Sequence, residues 1–218
     1  MDYRDRNTTV GSVVAGLPEA AEIFDDLHID YCCGGNRLLE DVLLEQRIDA
    51  GAVYEKLDLA QKNRSTAYEG AANDFGSMSA VALSIYVQDK HHAYLRSALP
   101  EISELLGTVL RAHGRNHKEL FDVYSMFGRL KSDLEQHLIK EEDMLFPAFD
   151  DEDANRRAIS ALASEIIREH EAAGGLLSEL RTITNDYMPP EDACGSYQRA
   201  YQMLAELEND LHRHIHLE

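Results

Sequence analysis

Tryptophan is absent and aromatic residues make up only 7% of the chain. With Ala, Leu and Glu frequent instead, the composition favours helices. Basic residues are scarce, 21 Lys and Arg against 40 Asp and Glu, which gives a net charge of -19. That balance excludes binding along a nucleic-acid backbone, which needs a basic face. No apolar run approaches the ~20 residues of a membrane-spanning helix. Cysteine is nearly absent too: there are three, and Cys32 and Cys33 are adjacent. A disulfide between neighbours would close a strained ring, so none is expected. No apolar run follows Met1-Asp2-Tyr3-Arg4-Asp5-Arg6, so no signal peptide is expected, and the odd thiol count fits a reducing cytoplasm. What is present is an apolar share of 44% over 218 residues, ample for one large or two small packed domains.

The expected fold is all-α. Residues 1–62 read as a small N-terminal domain of short helices. Thr8 or Thr9 can cap the first, and Pro18 suits the first turn of the second. Asn36 is positioned to cap a third and Asp49 to open a fourth. Cys32 and Cys33 then fall in a tight loop ahead of a helix N-terminus, where unpaired N–H groups favour a thiolate. The alternative is that both are small buried hydrophobes. Gly34-Gly35 after them would allow close approach by a partner or ion. Residues 63–79 are small, polar and aperiodic, and read as a linker. Residues 80–218 carry four long helical patterns. Val81, Ile85, Leu95, Leu99, Ile102 and Leu106 mark the first, with Pro100 as an internal breaker. Leu120, Tyr124, Phe127, Leu130, Leu134 and Leu145 mark the second, which Pro147 ends. Ile159, Leu162, Ile166, Leu177 and Leu180 mark the third, and Tyr197, Tyr201, Leu204, Leu207 and Leu211 the last, with Asp192 as its cap. The acidic run Asp150-Asp151-Glu152-Asp153 reads as a solvated connection.

Each of the four apolar stripes carries one histidine where a leucine would be expected: His92, His137, His170 and His214. Two are followed one turn later by a glutamate, His137 by Glu141 and His214 by Glu218. Residues four apart share a helix face, so each pair aims an imidazole and a carboxylate at one point. A lone histidine on an apolar stripe is usually a satisfied core residue. Four together with two buried acids are better explained by cations, because a buried unpaired carboxylate costs several kcal/mol or more. Imidazole and carboxylate suit iron, manganese or zinc. The arrangement fits a dinuclear site in which the carboxylates bridge and each ion takes two imidazoles. It is not the Glu-x-x-His pattern of ferritin-like sites. His91 is an alternative to His92, which the stripe favours. His113 and His117 read as surface residues, His212 and His216 as off the stripe, and Cys194 as a bystander. Asp133, one turn before His137, and Glu169, beside His170, are candidates to orient a ligand or relay protons. A solvated charge is the alternative for each.

Taken together, Tyr31-Cys32-Cys33-Gly34-Gly35, His137-Leu-Ile-Lys-Glu141 with its continuation to Pro147, Glu169-His170-Glu171, and His214-Ile-His-Leu-Glu218 resemble the RIC family. These are the di-iron proteins for repair of iron centres, of the ScdA and YtfE type. The resemblance spans essentially the whole chain and implies a small N-terminal domain followed by a hemerythrin-like four-helix bundle. It implies two non-haem iron ions, oxo- and carboxylate-bridged, held by His92, His137, His170, His214, Glu141 and Glu218. It further implies repair of iron-sulfur clusters damaged by nitric oxide or oxidants, by iron donation or by reducing nitric oxide to nitrous oxide. In that reading Cys32 and Cys33 pass electrons or iron, and Asp133 and Glu169 supply protons. The implied partners are damaged iron-sulfur proteins or a cluster scaffold, with nitric oxide or oxygen as the small ligand. The oligomeric state is left open, a homodimer among the options. The rival reading is an oxygen, nitric oxide or iron sensor or store without turnover.

Overall fold

The computed structural model describes residues 3–32, 34–66, 75–150 and 155–218. Cys33, residues 67–74 of the expected linker and the acidic residues Asp151, Glu152 and Asp153 lie outside them. Among the described residues the chain is helical, and its one extended contact is an isolated antiparallel bridge between Thr9 and Leu38. No helix among them is long and apolar enough to cross a membrane. Contacts divide the chain into two units, Met1–Ser79 with His212–Glu218, and Ala80–Leu211.

The first unit holds α1 (Val10–Gly16), α2 (Ala20–Asp26), α3 (Leu39–Glu45) and α4 (Ala50–Thr66). Thr9 and Ser12 close a reciprocal box at the start of α1: each side chain accepts the other's backbone N–H, at 3.2 and 3.1 Å. Asp49 does open α4, accepting the Gly51 N–H at 2.9 Å. The second and third helices both end on a residue at positive φ, His28 at 53° and Arg47 at 57°. In each case the next N–H reaches back to the last turn, Ile29 to the Phe24 carbonyl and Ile48 to that of Leu43. Their apolar faces close on one core of Val10, Val13, Phe24, Ile29, Tyr31, Leu39, Leu43 and Leu57.

The thiol loop departs from expectation. Helix α3 begins at Leu39 with no side-chain cap, so Asn36 does not start it. This segment is committed elsewhere, because the carbonyls of Gly35 and Arg37 satisfy the first N–H groups of α1. Arg37 accepts from Val10 at 2.9 Å and Gly35 from Gly11 at 2.8 Å. A Cβ on Gly35 would lie 2.5 Å from the Tyr31 carbonyl oxygen. The glycine pair thus serves the chain's close approach to itself.

The second unit holds α5 (Ala80–Val87), α6 (Ala93–His113), α7 (Glu119–Lys140), α8 (Arg156–Ile183) and the body of α9 (Gly195–Leu217). Its core takes Leu95, Leu99, Ile102 and Leu106 from α6, and Leu120, Val123, Phe127, Leu130 and Leu134 from α7. Leu177 and Leu180 come from α8, and Tyr197, Leu204, Leu207 and Leu211 from α9. The three- and four-residue spacing puts each set on one stripe, and each fully buried Leu or Phe contributes about 1.5–3 kcal/mol. Pro100 does not break α6. The irregularity lies upstream, where α5 joins α6 through a π-helical turn over Gln88–His92. A second π-helical turn, Glu141–Leu145, follows α7.

These wide turns change the phase of the stripe. Before the first, Ser84 and Val87 face inward, in step with His91; after it Leu95 and Leu99 do, in step with His92. Ile85, expected on the stripe, is therefore 53% exposed. Tyr124 is also turned out, and Val123 takes the core position.

Candidate metal centre

Both π-helical turns carry the residues of interest, as such turns often do at functional sites. The first ends on His92, and the second opens with Glu141 and Glu142. Glu141 is completely buried. One of its oxygens lies 3.2 Å from His92 Nε2 and the other 3.2 Å from His137 Nε2. The second oxygen is also 4.0 Å from His170 Nε2, which itself lies 3.2 Å from His137 Nε2. Near the end of α9, His214 Nε2 is 2.7 Å from a Glu218 carboxylate oxygen. Ligand atoms of His92, Glu141, His214 and Glu218 all lie within 4.8 Å of one another, and so do those of His137, Glu141, His170 and Glu218. Each group can hold one cation, and the two share both carboxylates.

The outer nitrogens of two imidazoles are tied to further acids. His92 Nδ1 lies 2.7 Å from Glu142 Oε1, and His137 Nδ1 lies 3.0 Å from Glu169 Oε2. Burial alone would raise both carboxyls. Hydrogen bonds from Arg96 and His92 to Glu142, and from Lys140 and His137 to Glu169, outweigh it and hold them below the usual range. An ionised carboxylate accepts only, so each Nδ1 carries the proton and the lone pair of a neutral ring sits on Nε2. Those lone pairs face the oxygens of Glu141 across 3.2 Å. Where the rings are neutral, acceptor faces acceptor in a dry core, a repulsion that a metal ion between them relieves. The donor set therefore fits a metal. Phe146 stacks on the His92 ring, with centroids 5.7 Å apart, and covers that side.

The structure brings together His92, His137, Glu141, His170, His214 and Glu218, and sets Glu169 behind His137. Asp133 is exposed on α7 and makes no hydrogen bond or ion pair among the described residues. Cys32 lies in the first unit with a half-buried thiol. Its backbone N–H and its Sγ both donate to Asp30 Oδ1, at 3.1 and 3.2 Å. Cys33 lies outside the described residues. His91 is buried on Asp210, its Nδ1 3.0 Å from Oδ1. The remaining histidines have partners of their own. His113 Nε2 lies 3.2 Å from Cys194 Sγ, and His117 meets Glu119 and Asp192. Sequence reasoning missed Glu142. Spacing along the chain points only to acids close to each histidine, whereas Glu142 serves a histidine fifty residues away on another helix.

The Hemerythrin HHE cation binding domain matches residues 83–218. The ScdA N-terminal domain, described as a domain of unknown function, matches residues 6–61. Among curated relatives, a probable iron-sulfur cluster repair protein of Haemophilus influenzae is 30% identical over 96% of this chain and 92% of its own. The iron-sulfur cluster repair protein YtfE of Yersinia pseudotuberculosis is 28% identical over 100% of this chain and 95% of its own. The iron-sulfur cluster repair protein ScdA of Staphylococcus haemolyticus is 26% identical over 96% and 93% respectively.

Proposed function

The chain belongs to the hemerythrin-like family of ScdA- and YtfE-type iron-sulfur cluster repair proteins, and from that premise we propose that it repairs damaged iron-sulfur clusters through a di-iron centre. The observation that carries this reading is the sharing of Glu141 and Glu218 between two histidine groups. Shared carboxylates are what a bridged pair of ions requires, and mixed nitrogen and oxygen donors suit non-haem iron. His92 and His214 would hold one ion, His137 and His170 the other. Bridging oxide completes the proposed cofactor. Bound iron supplies electrons and open coordination positions, either for donation to a damaged cluster or for joining two nitric oxides, two protons and two electrons into nitrous oxide and water.

The protein's own residues have separate tasks in this reading. Glu142 and Glu169 orient His92 and His137 and fix their tautomers. Glu169, half-buried and bonded to Lys140, is also placed to move a proton at His137 Nδ1. Asp133 serves as a further proton source from the exposed side of α7. Cys32, with Cys33, passes electrons or iron, and Asp30 holds the Cys32 thiol in place. Residues 1–62, with α4 running on to Thr66, form the thiol-bearing domain, the rest of 63–79 the linker and 80–218 the metal-binding bundle. The site of action is the cytoplasm and the partners are damaged iron-sulfur proteins.

The test is metal content with a Mössbauer spectrum on protein purified anaerobically with iron supplied. About two coupled irons per chain, one for each histidine group, is the expected result. A single zinc, or no metal, overturns the reading. A multi-turnover nitrous oxide assay on the reduced protein then separates nitric oxide reduction from iron donation.

A further inference from the structure

The last two turns of α9 present two faces. One carries His214 and Glu218. The other carries His212, Arg213 and His216, and all three meet Asp25 and Tyr31 within the first unit. The Asp25 side chain is only 7% exposed. Its Oδ1 accepts from His212 Nδ1 at 3.2 Å, and its Oδ2 lies 3.8 Å from the Arg213 guanidinium. The Tyr31 hydroxyl donates to the same Oδ2 at 3.5 Å. The Tyr31 ring is buried edge-on against both imidazoles, with centroids 5.9 Å from His212 and 5.7 Å from His216.

The last turn of a helix lacks partners for its final carbonyls and frays unless something holds it. Two of the six proposed ligands sit there. A metal site loses affinity when its ligands are free to wander, because ordering them is then charged to binding. The contacts of Asp25 and Tyr31 lie on those turns.

We infer that Asp25 and Tyr31 are positioning residues for the metal centre: through His212, Arg213 and His216 they fix the last turns of α9, and so the placement of His214 and Glu218. The inference rests on the metal reading above and adds two residues to it. It also links the centre to the thiol segment, because Tyr31 immediately precedes Cys32. By thermodynamic reciprocity, whatever Asp25 contributes to metal affinity, bound metal returns as order in the segment that carries Asp25 and Tyr31.

The test uses the full chain with Asp25→Ala, Asp25→Asn and Tyr31→Phe. Each is loaded anaerobically with ferrous iron and challenged with a ferrous chelator. Asp25→Ala is expected to release iron about tenfold faster than wild type, the scale seen when an outer-shell partner is lost. The loss is expected to be uneven. The group of His92, Glu141, His214 and Glu218 draws two ligands from the end of α9, and the other group one. One Mössbauer doublet should therefore change more than the other, whereas general destabilisation would weaken both alike. Asp25→Asn keeps the shape and an acceptor for His212, so it should lie between Asp25→Ala and wild type, and it decides the matter if Asp25→Ala fails to fold. Tyr31→Phe should have a smaller effect than Asp25→Ala. Hydrogen exchange over residues 25–32 should slow on iron loading. Wild-type release rates and unaltered spectra in the Asp25 variants overturn the inference while leaving the metal reading intact. A wild-type protein that binds no iron overturns both.

Discussion

The Nδ1 atom of His92 lies 2.7 Å from Oε1 of Glu142, an acid from another helix that Arg96 also holds. This contact sets which nitrogen of His92 carries the proton and which faces Glu141. Glu142→Gln keeps the size but removes the charge that favours that tautomer. Iron affinity measured by chelator competition is expected to fall about 10- to 100-fold, and Glu169→Gln should do the same through His137. Unchanged affinity in both variants would mean that neither acid orients a ligand.

Glu141 and Glu218 place carboxylate oxygens within 4.8 Å of each other among buried imidazoles. Two acids that close repel when no cation lies between them. Glu141→Gln removes one charge at constant shape. In metal-free protein its melting temperature is expected to equal or exceed that of wild type. In iron-supplied protein the order should reverse, because the variant loses the shared ligand of both groups. Calorimetry with and without iron measures both, and an apo variant melting well below apo wild type would contradict the account.

The two-part all-α plan was legible because apolar residues recur at helical spacing and because Thr9 and Asp49 are strong helix starters. Four histidines on four stripes pointed to a cluster, and the geometry brings those side chains together. What was hidden depends on backbone detail that periodicity does not encode. The π-helical turn at Gln88–His92 shifts the stripe, so periodicity alone points Ile85 inward in place of Ser84 and Val87. Asn36 looked like a cap, but its segment is drawn against the start of α1. Glu142 and Asp25 act across large sequence separations, where no spacing rule reaches.

Cys32→Ser tests the division of labour between the two parts of the chain. Cys32 bonds to Asp30 and belongs to neither ligand group. The variant is expected to keep its full complement of iron while losing cluster repair, assayed by recovery of a damaged iron-sulfur enzyme. Full repair by the serine variant would remove Cys32 from the mechanism.

Arg181 and Glu208 form a two-contact ion pair between α8 and α9, at 3.1 and 2.8 Å, with Glu208 only 4% exposed. Such a pair adds little over a well-packed apolar one, but breaking it strands a buried charge. Glu208→Ala is expected to cost about 3–5 kcal/mol in urea unfolding. The double variant Arg181→Met with Glu208→Leu should recover most of it. Equal losses in the single and double variants would show that packing, and not the stranded Arg181, sets the cost.

His117 and Asp192 offer a pH test on the connections that lead into α7 and α9. The Asp192 carboxylate accepts from His117 Nε2 at 2.9 Å. That hydrogen bond raises the His117 imidazole above its usual 6.5 against a smaller opposing effect of burial, with Glu119 adding to the rise. The same bond lowers Asp192 below its usual 3.8. A raised histidine stabilises the fold fully below 6.5, and its share is lost as pH climbs through the raised value. A lowered aspartate contributes above 3.8, and its share is lost as pH falls through the lowered value. The pair is therefore most stabilising between those two pH values. The melting-temperature gap between wild type and His117→Asn is expected to be widest there and to narrow as pH climbs through the raised His117 value. Asp192→Asn should trace the same curve, because it removes the other half of the same bond. A gap that stays constant from pH 5 to pH 9 would show that His117 acts through packing and not through its charge.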